Sequence, residues 1–410
     1  MLLDLLTGRR AQNSVSSSHE LMQELTRGHQ TQAGVNVNPD TAMRASAVYA
    51  CIRVLAEGVA QLPLMVYRRR PDGGKDRATQ HWLWELLHDR PNRWQTSFEW
   101  REMLMGHVGL RGNHYSWKNL VDRGRQVREL VPLHPDRMEV EQRSDLSLLY
   151  RYTTPDGRQR EFSQEEILHV RGLSENGVVG MNPISYQRES IGHYLAAERH
   201  GASFFGNGAF PGAAFKHPGT LSDPAHESLK KDLQEDYGGT NSGKPILLEE
   251  GMEWQQLSVS NEDSQFLETY KHKRTEIASI FRVPPHMIGD LERATFSNIE
   301  QQSLDFVVYT LLPWLRRIEQ AILRDLVPDN QRSSLYAEHL VEGLLRGDMA
   351  ARKDFYASAI NWGWMSPNEV REKENMNPRD GGDEYMIPGN VNVQDENGNP
   401  VSPGGNDAAT

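Results

Sequence analysis

One cysteine, Cys51, in 410 residues removes two classes of answer at once. A single thiol builds neither an intrachain disulfide framework nor a thiolate zinc site. Long apolar runs are missing as well. No stretch approaches the ~20 consecutive apolar residues that a membrane-spanning helix needs, so no membrane partner is expected. Apolar residues are scarce overall, at 37% with a mean hydropathy of −0.66, which predicts a wet, extended or multi-lobed shape. Positive charge is in deficit too: 45 Lys and Arg against 56 Asp and Glu leave −11. Duplex affinity comes mainly from Lys and Arg displacing counterions at phosphates, so this sign argues against tight, non-specific DNA binding. The opening Met-Leu-Leu-Asp-Leu-Leu carries an acid inside its apolar stretch, unlike a secretory signal. The expectation is a protein of the cytosol, or of a particle assembled there.

What is present concentrates in residues 281–326. A helix stops at Pro284-Pro285, which supply no backbone N–H and push Val283 out of the helical region. A loop crosses Gly289 to Phe296. A new helix is predicted to start at a capping box, Ser297 with Glu300 three residues later. Leu304, Val308, Leu311, Leu315, Ile318 and Ile322 recur at helical steps and predict one buried face, interrupted by a kink at Pro313. Upstream, residues 1–38 read as a flexible polar arm, followed by a helix over 41–60 with Val48, Ile52, Leu55 and Val59 on one face. Residues 62–69 predict a strand that turns at Pro71-Asp-Gly-Gly74. Two helical segments (81–88, 98–110) and a strand-rich block from 113 to 170 follow, with a hairpin signal at Thr154-Pro-Asp-Gly157. Asn182-Pro183 opens a helix to about 205, a small mixed insertion covers 209–261, and a second long helix runs from 262 to 281. A strand over 334–340 is predicted to rejoin the first lobe. Asp348 and the capping box Ser366-Pro367-Asn-Glu369 start two short helices, and the chain from about 385 reads as disordered.

The words Val283-Pro-Pro-His-Met-Ile-Gly289, Leu291-Glu-Arg-Ala-Thr-Phe-Ser-Asn-Ile-Glu-Gln302 and Leu312-Pro-Trp-Leu-Arg-Arg-Ile-Glu319 resemble the portal proteins of tailed bacteriophages, specifically the HK97-like family. The resemblance implies an α+β, multi-lobed subunit: arm 1–38, wing 39–181, first stem helix 182–206, clip 207–261, second stem helix 262–283, tunnel loop with kinked helix and return to the wing 284–344, crown 345–384, tail 385–410. It implies a homo-oligomeric ring of twelve through which double-stranded DNA passes, held non-specifically. The implied partners are the terminase large subunit, the major capsid protein or scaffold, and a head–tail adaptor. It places Leu291, Glu292, Arg293, Ala294, Thr295, Phe296, Ser297 and Asn298 at the DNA channel. Gly289 and Pro313 are candidate hinges. Lys271, Lys273 and Arg274 are candidate secondary phosphate contacts. Lys230, Lys231, Glu249 and Glu250 are candidate docking residues for motor or adaptor, on an insertion whose residues 216–258 carry four basic and eight acidic groups.

Other motifs are weaker. Gly238-Gly-Thr-Asn-Ser-Gly243-Lys244 matches most of a phosphate-binding loop, but Pro245 stands where magnesium needs Ser or Thr. A helix precedes it and a strand follows, the reverse of the required order. A nucleotide-dependent packaging enzyme built on 238–245 is the alternative from another class, and a monomeric protein-binding adaptor is a second. The fifteen histidines lack metal-ligand spacing, and Asp395-Glu-Asn-Gly-Asn has its glycine too early for a calcium loop, so no metal or cofactor is expected. Lys271-His-Lys-Arg274 points all around its helix, which favours a solvated or inter-subunit salt-bridging girdle over direct phosphate contact. Trp82, Trp84, Trp94, Trp100 and Trp117 read as core or interface packing rather than a base-stacking row.

Overall fold

A computed structural model describes residues 31–121, 126–206, 213–216, 219–228, 231, 251–256, 261–291, 296–341, 349–374, 376–386, 393–394 and 400–401. The chain divides into two compact units, Met1–Leu340 and Val341–Thr410.

The first unit begins with packed chain. Val35 and Val37 are 2% and 3% exposed, and a Cβ on Gly192 would sit 2.6 Å from Thr31. Residues 31–38, expected in the arm, therefore belong to the core, because two valines and a close glycine contact give this polar stretch something to bury against. Helix α1 (Ser46–Ala60) buries Val48, Cys51, Ile52, Leu55 and Val59, the expected stripe. Strand β1 (Leu64–Arg69) turns back into β2 (Lys75–Arg77) through the Pro-Asp-Gly-Gly signal. Helix α2 (Ser97–Arg111) has a capping box of Thr96 and Glu99 and packs on α1. It ends at Gly112, φ 75°, where an added Cβ would lie 2.0 Å from the Met181 carbonyl oxygen, so only glycine fits.

Six strands follow: β3 (Asn113–Val121), β4 (Gln126–Leu133), β5 (Met138–Gln142), β6 (Leu148–Thr153), β7 (Gln159–Ser163) and β8 (Ile167–Arg171). They form two antiparallel three-stranded sheets, in the orders β4-β3-β8 and β5-β6-β7. Tyr115, Leu133, Leu148, Tyr150, Tyr152, Phe162 and Ile167 make one cluster between them. The predicted Thr154–Gly157 turn joins β6 to β7. Of the five tryptophans, Trp100 is fully buried and donates to the Ser116 hydroxyl at 3.2 Å, while Trp94 is 61% exposed. No stacking row forms from them.

After an Asn182-capped turn at Pro183–Tyr186, helix α3 (Arg188–Gly206) runs beside α4 (Asn261–Phe281). Strands β9 (Ala213–Lys216) and β10 (Glu253–Gln256) pair between them, and residues 223–228 are helical. The residues 238–245 lie outside the described ones. Helix α5 (Phe296–Asp305) continues through a π-helical segment, Phe306–Leu311, into α6 (Leu312–Asp325).

Three expectations for this rod are corrected. Helix α5 starts at Phe296, one residue earlier than the expected start at Ser297. The irregularity is not a kink at Pro313 alone. Leu312 N–H donates to the Val307 carbonyl, five residues back, because Pro313 has no N–H and crowds the carbonyl of residue 309. The wider turn also rotates the buried face: Phe306, Val307 and Thr310 are buried, whereas Leu304 and Val308 are 43% and 39% exposed. Beyond the π segment, Leu315, Ile318 and Ile322 are buried as predicted.

Helix α6 lies against β8 and β11 (Leu335–His339). Strand β11 pairs antiparallel with β1, so the predicted return strand does close the β11-β1-β2 sheet. The Glu319 carboxylate accepts from the His339 N–H at 2.9 Å and faces His339 Nδ1 at 3.0 Å, while Arg316 pairs with its other oxygen at 2.8 Å. In the second unit, α7 (Met349–Asn361) leads to α8 (Pro367–Lys373), started by the expected Ser366/Glu369 capping box. Short strands β12 (Val393–Gln394) and β13 (Pro400–Val401) pair antiparallel within the stretch read as disordered, which corrects that reading at these four residues, where backbone groups find partners in a ladder.

Burial keeps several imidazoles neutral. Burial, with His134 and Arg111 nearby, pushes His107 down to about 3, and burial likewise pulls His114, His169 and His339 below the ordinary imidazole value. A histidine whose folded pKa is depressed leaves the unfolded chain binding more protons below about pH 6.5, so stability is present above that pH and lost beneath it. For His107, held at about 3, the loss at pH 5 is about 2 kcal/mol, and the other three add in the same direction. Urea unfolding should therefore show a clearly lower midpoint at pH 5 than at pH 7.5, and His107→Phe should flatten that difference. An unchanged midpoint would contradict neutral, buried imidazoles.

Candidate functional site

The residues assigned to a channel lie in and around the link between α4 and α5, whose base is built from four attachments. Helix α4 ends in a Schellman motif: Val283 N–H donates to Ala278 O at 2.9 Å and Arg282 N–H to Ser279 O at 3.1 Å. This places Arg282 at φ 57°, left-handed backbone that an arginine adopts at a cost of about 1–2 kcal/mol. The buried Thr310 hydroxyl, from the π segment, accepts that geometry by donating to the Arg282 carbonyl at 2.8 Å. Pro284 and Pro285 then open a single 3-10 turn, Pro285–Ile288, which closes at Gly289 with φ 83°.

Side chains fasten this corner from both sides. Arg274 of α4 donates to the Ile288 carbonyl. Thr275 reaches the Asp290 carboxylate at 3.3 Å, and Asp290 N–H donates to Pro285 O at 3.0 Å. From the other side, His286 Nδ1 meets Gln302 Oε1 of α5 at 2.8 Å. The loop is thus clamped at its base, where its two flanking helices are joined through His286 and Thr310. Beneath the clamp, burial raises the Cys51 thiol to about 12, with Arg274 opposing, so this cysteine is an inert packing residue.

The assigned residues fall into distinct places. Leu291 is 62% exposed. Glu292, Arg293, Ala294 and Thr295 lie outside the described residues, and of Phe296, Ser297 and Asn298 only the helical backbone is described. Gly289, read as a flex point, is held by its N–H to His286 O at 3.1 Å, and a Cβ there would meet Arg274 Nη2 at 3.2 Å. Pro313 is exposed and follows the π segment directly. Lys273 pairs with Glu276 at 2.8 Å, and with Arg274 committed to the corner carbonyl the basic run serves the fold at both positions. Lys271 is exposed, its carbonyl accepting from Thr275 at 3.3 Å. Lys231 is exposed, while Lys230, Glu249 and Glu250 lie outside the described residues. Sequence reasoning missed Arg282, Gln302 and Thr310. The only signal for them was the Phe281-Arg-Val-Pro-Pro corner, and their partners are 16 and 28 residues apart. Among the described residues, no group of three or more His, Cys, Asp and Glu side chains is arranged to hold a metal, and no helix is long and apolar enough to cross a membrane.

Alanine at Gly289 should lower the melting temperature by several degrees, the effect of about 1–2 kcal/mol from positive φ and the crowded Arg274. Arg274→Met should do the same by orphaning the corner carbonyl. Differential scanning fluorimetry checks both, and unaltered melting of either variant would show that the clamp contributes nothing.

Comparison with known proteins fits this geometry. A family profile described as phage portal protein matches residues 46–375. The portal protein of Enterobacteria phage HK97 is 34% identical over 357 residues, covering 86% of this chain and 83% of its own. A probable portal protein of Streptomyces phage phiC31 is 33% identical over 378 residues, covering 88% and 81%. Among solved structures, a chain in the neck of a native gene transfer agent particle, computed with C12 symmetry, superposes with a TM-score of 0.59 at 26% identity, covering 83% of this chain and 94% of its own. The chain belongs to the phage portal protein family, in its HK97-like branch: a structural protein of the virion that forms the channel at a capsid vertex.

Proposed function

We propose that twelve copies of this chain close into a ring, that double-stranded DNA is packaged and ejected through its centre, and that the loop from Leu291 to Asn298 faces that DNA. The observation that carries the reading is the two-sided α5–α6 rod. One side is buried in its own subunit through Phe306, Val307, Leu311, Leu315, Ile318 and Ile322, while Leu304, Val308 and Tyr309 stand exposed at 43%, 39% and 60%. An apolar row left uncovered beside a polar loop is what a helix needs when its second partner is another copy around an axis. The loop base is clamped, so the tip is carried on a fixed mount.

In this reading the net charge of −11 keeps contact with the moving duplex weak. Arg293, Thr295, Ser297 and Asn298 supply brief phosphate contacts, with Lys271 as a secondary one. Residues 39–181 with β11 serve as the wing, α3 and α4 as stem helices, 207–261 as the clip and α7–α8 as the crown. The clip, through Lys230, Lys231, Glu249 and Glu250, docks first the terminase large subunit and then the head–tail adaptor. Wing and crown meet the major capsid protein or scaffold and nucleate the procapsid. Energy for translocation comes from the separate motor, and this chain is not itself an enzyme.

Mass photometry of the purified 46.7 kDa chain should show a species near 560 kDa. Leu304→Asp with Tyr309→Asp should convert it to single subunits without changing the subunit's melting, since neither side chain is buried. A persistent ring in the double variant would remove the proposed interface, and a wild-type chain that stays near 47 kDa would remove the ring. Steady ATP turnover by pure protein would favour the packaging enzyme instead.

A further inference from the structure

Three arginines gather around residues 169–172 with too few acids to neutralise them. Arg171, Arg317 and Arg324 line one open cavity of about 490 Å³, together with Ser174, Leu173 and Gln320. Each guanidinium is held by the protein. Arg171 Nε donates to His169 Nδ1 at 3.2 Å, and its Nη1 donates to the Gly177 carbonyl. Arg317 Nη1 donates to the Gly172 carbonyl at 3.0 Å and lies over the Trp314 ring at 5.7 Å. Arg324 Nη2 donates to the His169 carbonyl at 2.6 Å.

Among the described residues, only Arg324 of the three has a carboxylate, in a two-pronged pair with Asp325 at 2.7 Å on each prong. Arg171 and Arg317 form no ion pair among the described residues, and no acid lines the cavity. His169 adds no charge. Its Nδ1 accepts from Arg171, so the proton sits on Nε2, which donates to Asn113 Oδ1 at 3.0 Å. The cavity therefore holds two uncompensated positive charges on forks whose orientation is already fixed by backbone carbonyls.

We propose that this cavity is a phosphate-group site. A lone carboxylate has two oxygens and is saturated by one fork, leaving the second arginine unanswered. A phosphate carrying close to two negative charges, or two successive backbone phosphates of a DNA strand, matches both in charge and in number of acceptor oxygens. The site is apart from the α4–α5 loop and does not depend on the ring.

Calorimetric titration of the full-length chain with sodium phosphate, and separately with a short DNA duplex, tests this for wild type, Arg171→Gln and Arg317→Gln. Arg317 is exposed on α6, so its variant stays folded even where Arg171→Gln does not. Arg317→Gln should weaken binding about tenfold or more, the loss of one charge-assisted hydrogen bond. In the duplex arm the salt slope should fall by about one. Weakening in the phosphate arm alone identifies free phosphate as the ligand, and weakening in the duplex arm identifies the DNA backbone. Equal binding by wild type and folded Arg317→Gln in both arms overturns the site, as does succinate binding more tightly than phosphate.

Discussion

Pro313 cannot complete the hydrogen-bond ladder of the helix it occupies, and much of the subunit's organisation follows from where that defect is absorbed. The turn before it widens to five-residue spacing over Phe306–Leu311. The widening turns Thr310 inward, where its hydroxyl reaches the carbonyl of Arg282. That contact anchors the left-handed end of α4, and from there the double proline and Gly289 set the path of the loop. The same rotation moves Leu304 and Val308 from the expected buried face to the surface. One missing N–H thus decides both how the loop is mounted and which apolar side chains are left for a second partner.

The other half of the rod is rigid for a different reason. Helix α6 is joined to the sheets by charged and polar groups, not by apolar packing alone. Glu319 holds His339 of β11, Asp325 accepts from the His169 N–H at 3.0 Å, and the buried Lys118 donates to the Asp325 carbonyl at 2.7 Å. These bonds run from α6 to both sheets at fixed residues, which restricts α6 to one register against β8 and β11. The irregular end of the rod is therefore tied to a corner, and the regular end to two sheets.

Charge is distributed along the chain in a way its total conceals. The chain as a whole is acidic, yet the basic groups near the loop are largely taken up by the fold: Arg274 by a backbone carbonyl and Lys273 by Glu276. Around residues 169–172 the reverse holds, with arginines oriented but not neutralised. Sequence runs of Lys and Arg are a poor guide to this distinction. A basic run on one helix faces many directions, whereas guanidiniums from β8 and α6 converge only after folding.

The sequence by itself determined the order of helices and strands, the double-proline stop, the return strand and the Ser366/Glu369 cap, because these depend on local backbone chemistry and on periodicity within one element. Its likeness to the portal family was legible in the words from Val283 to Glu319. Tertiary structure alone decided the buried face of the rod, since a π turn changes the period that a sequence pattern assumes to be constant. It also decided which polar groups meet. His286 with Gln302, Thr310 with Arg282, and Arg171 with Arg317 come together through chain reversals, and no local spacing encodes the direction in which a reversed segment presents its side chains.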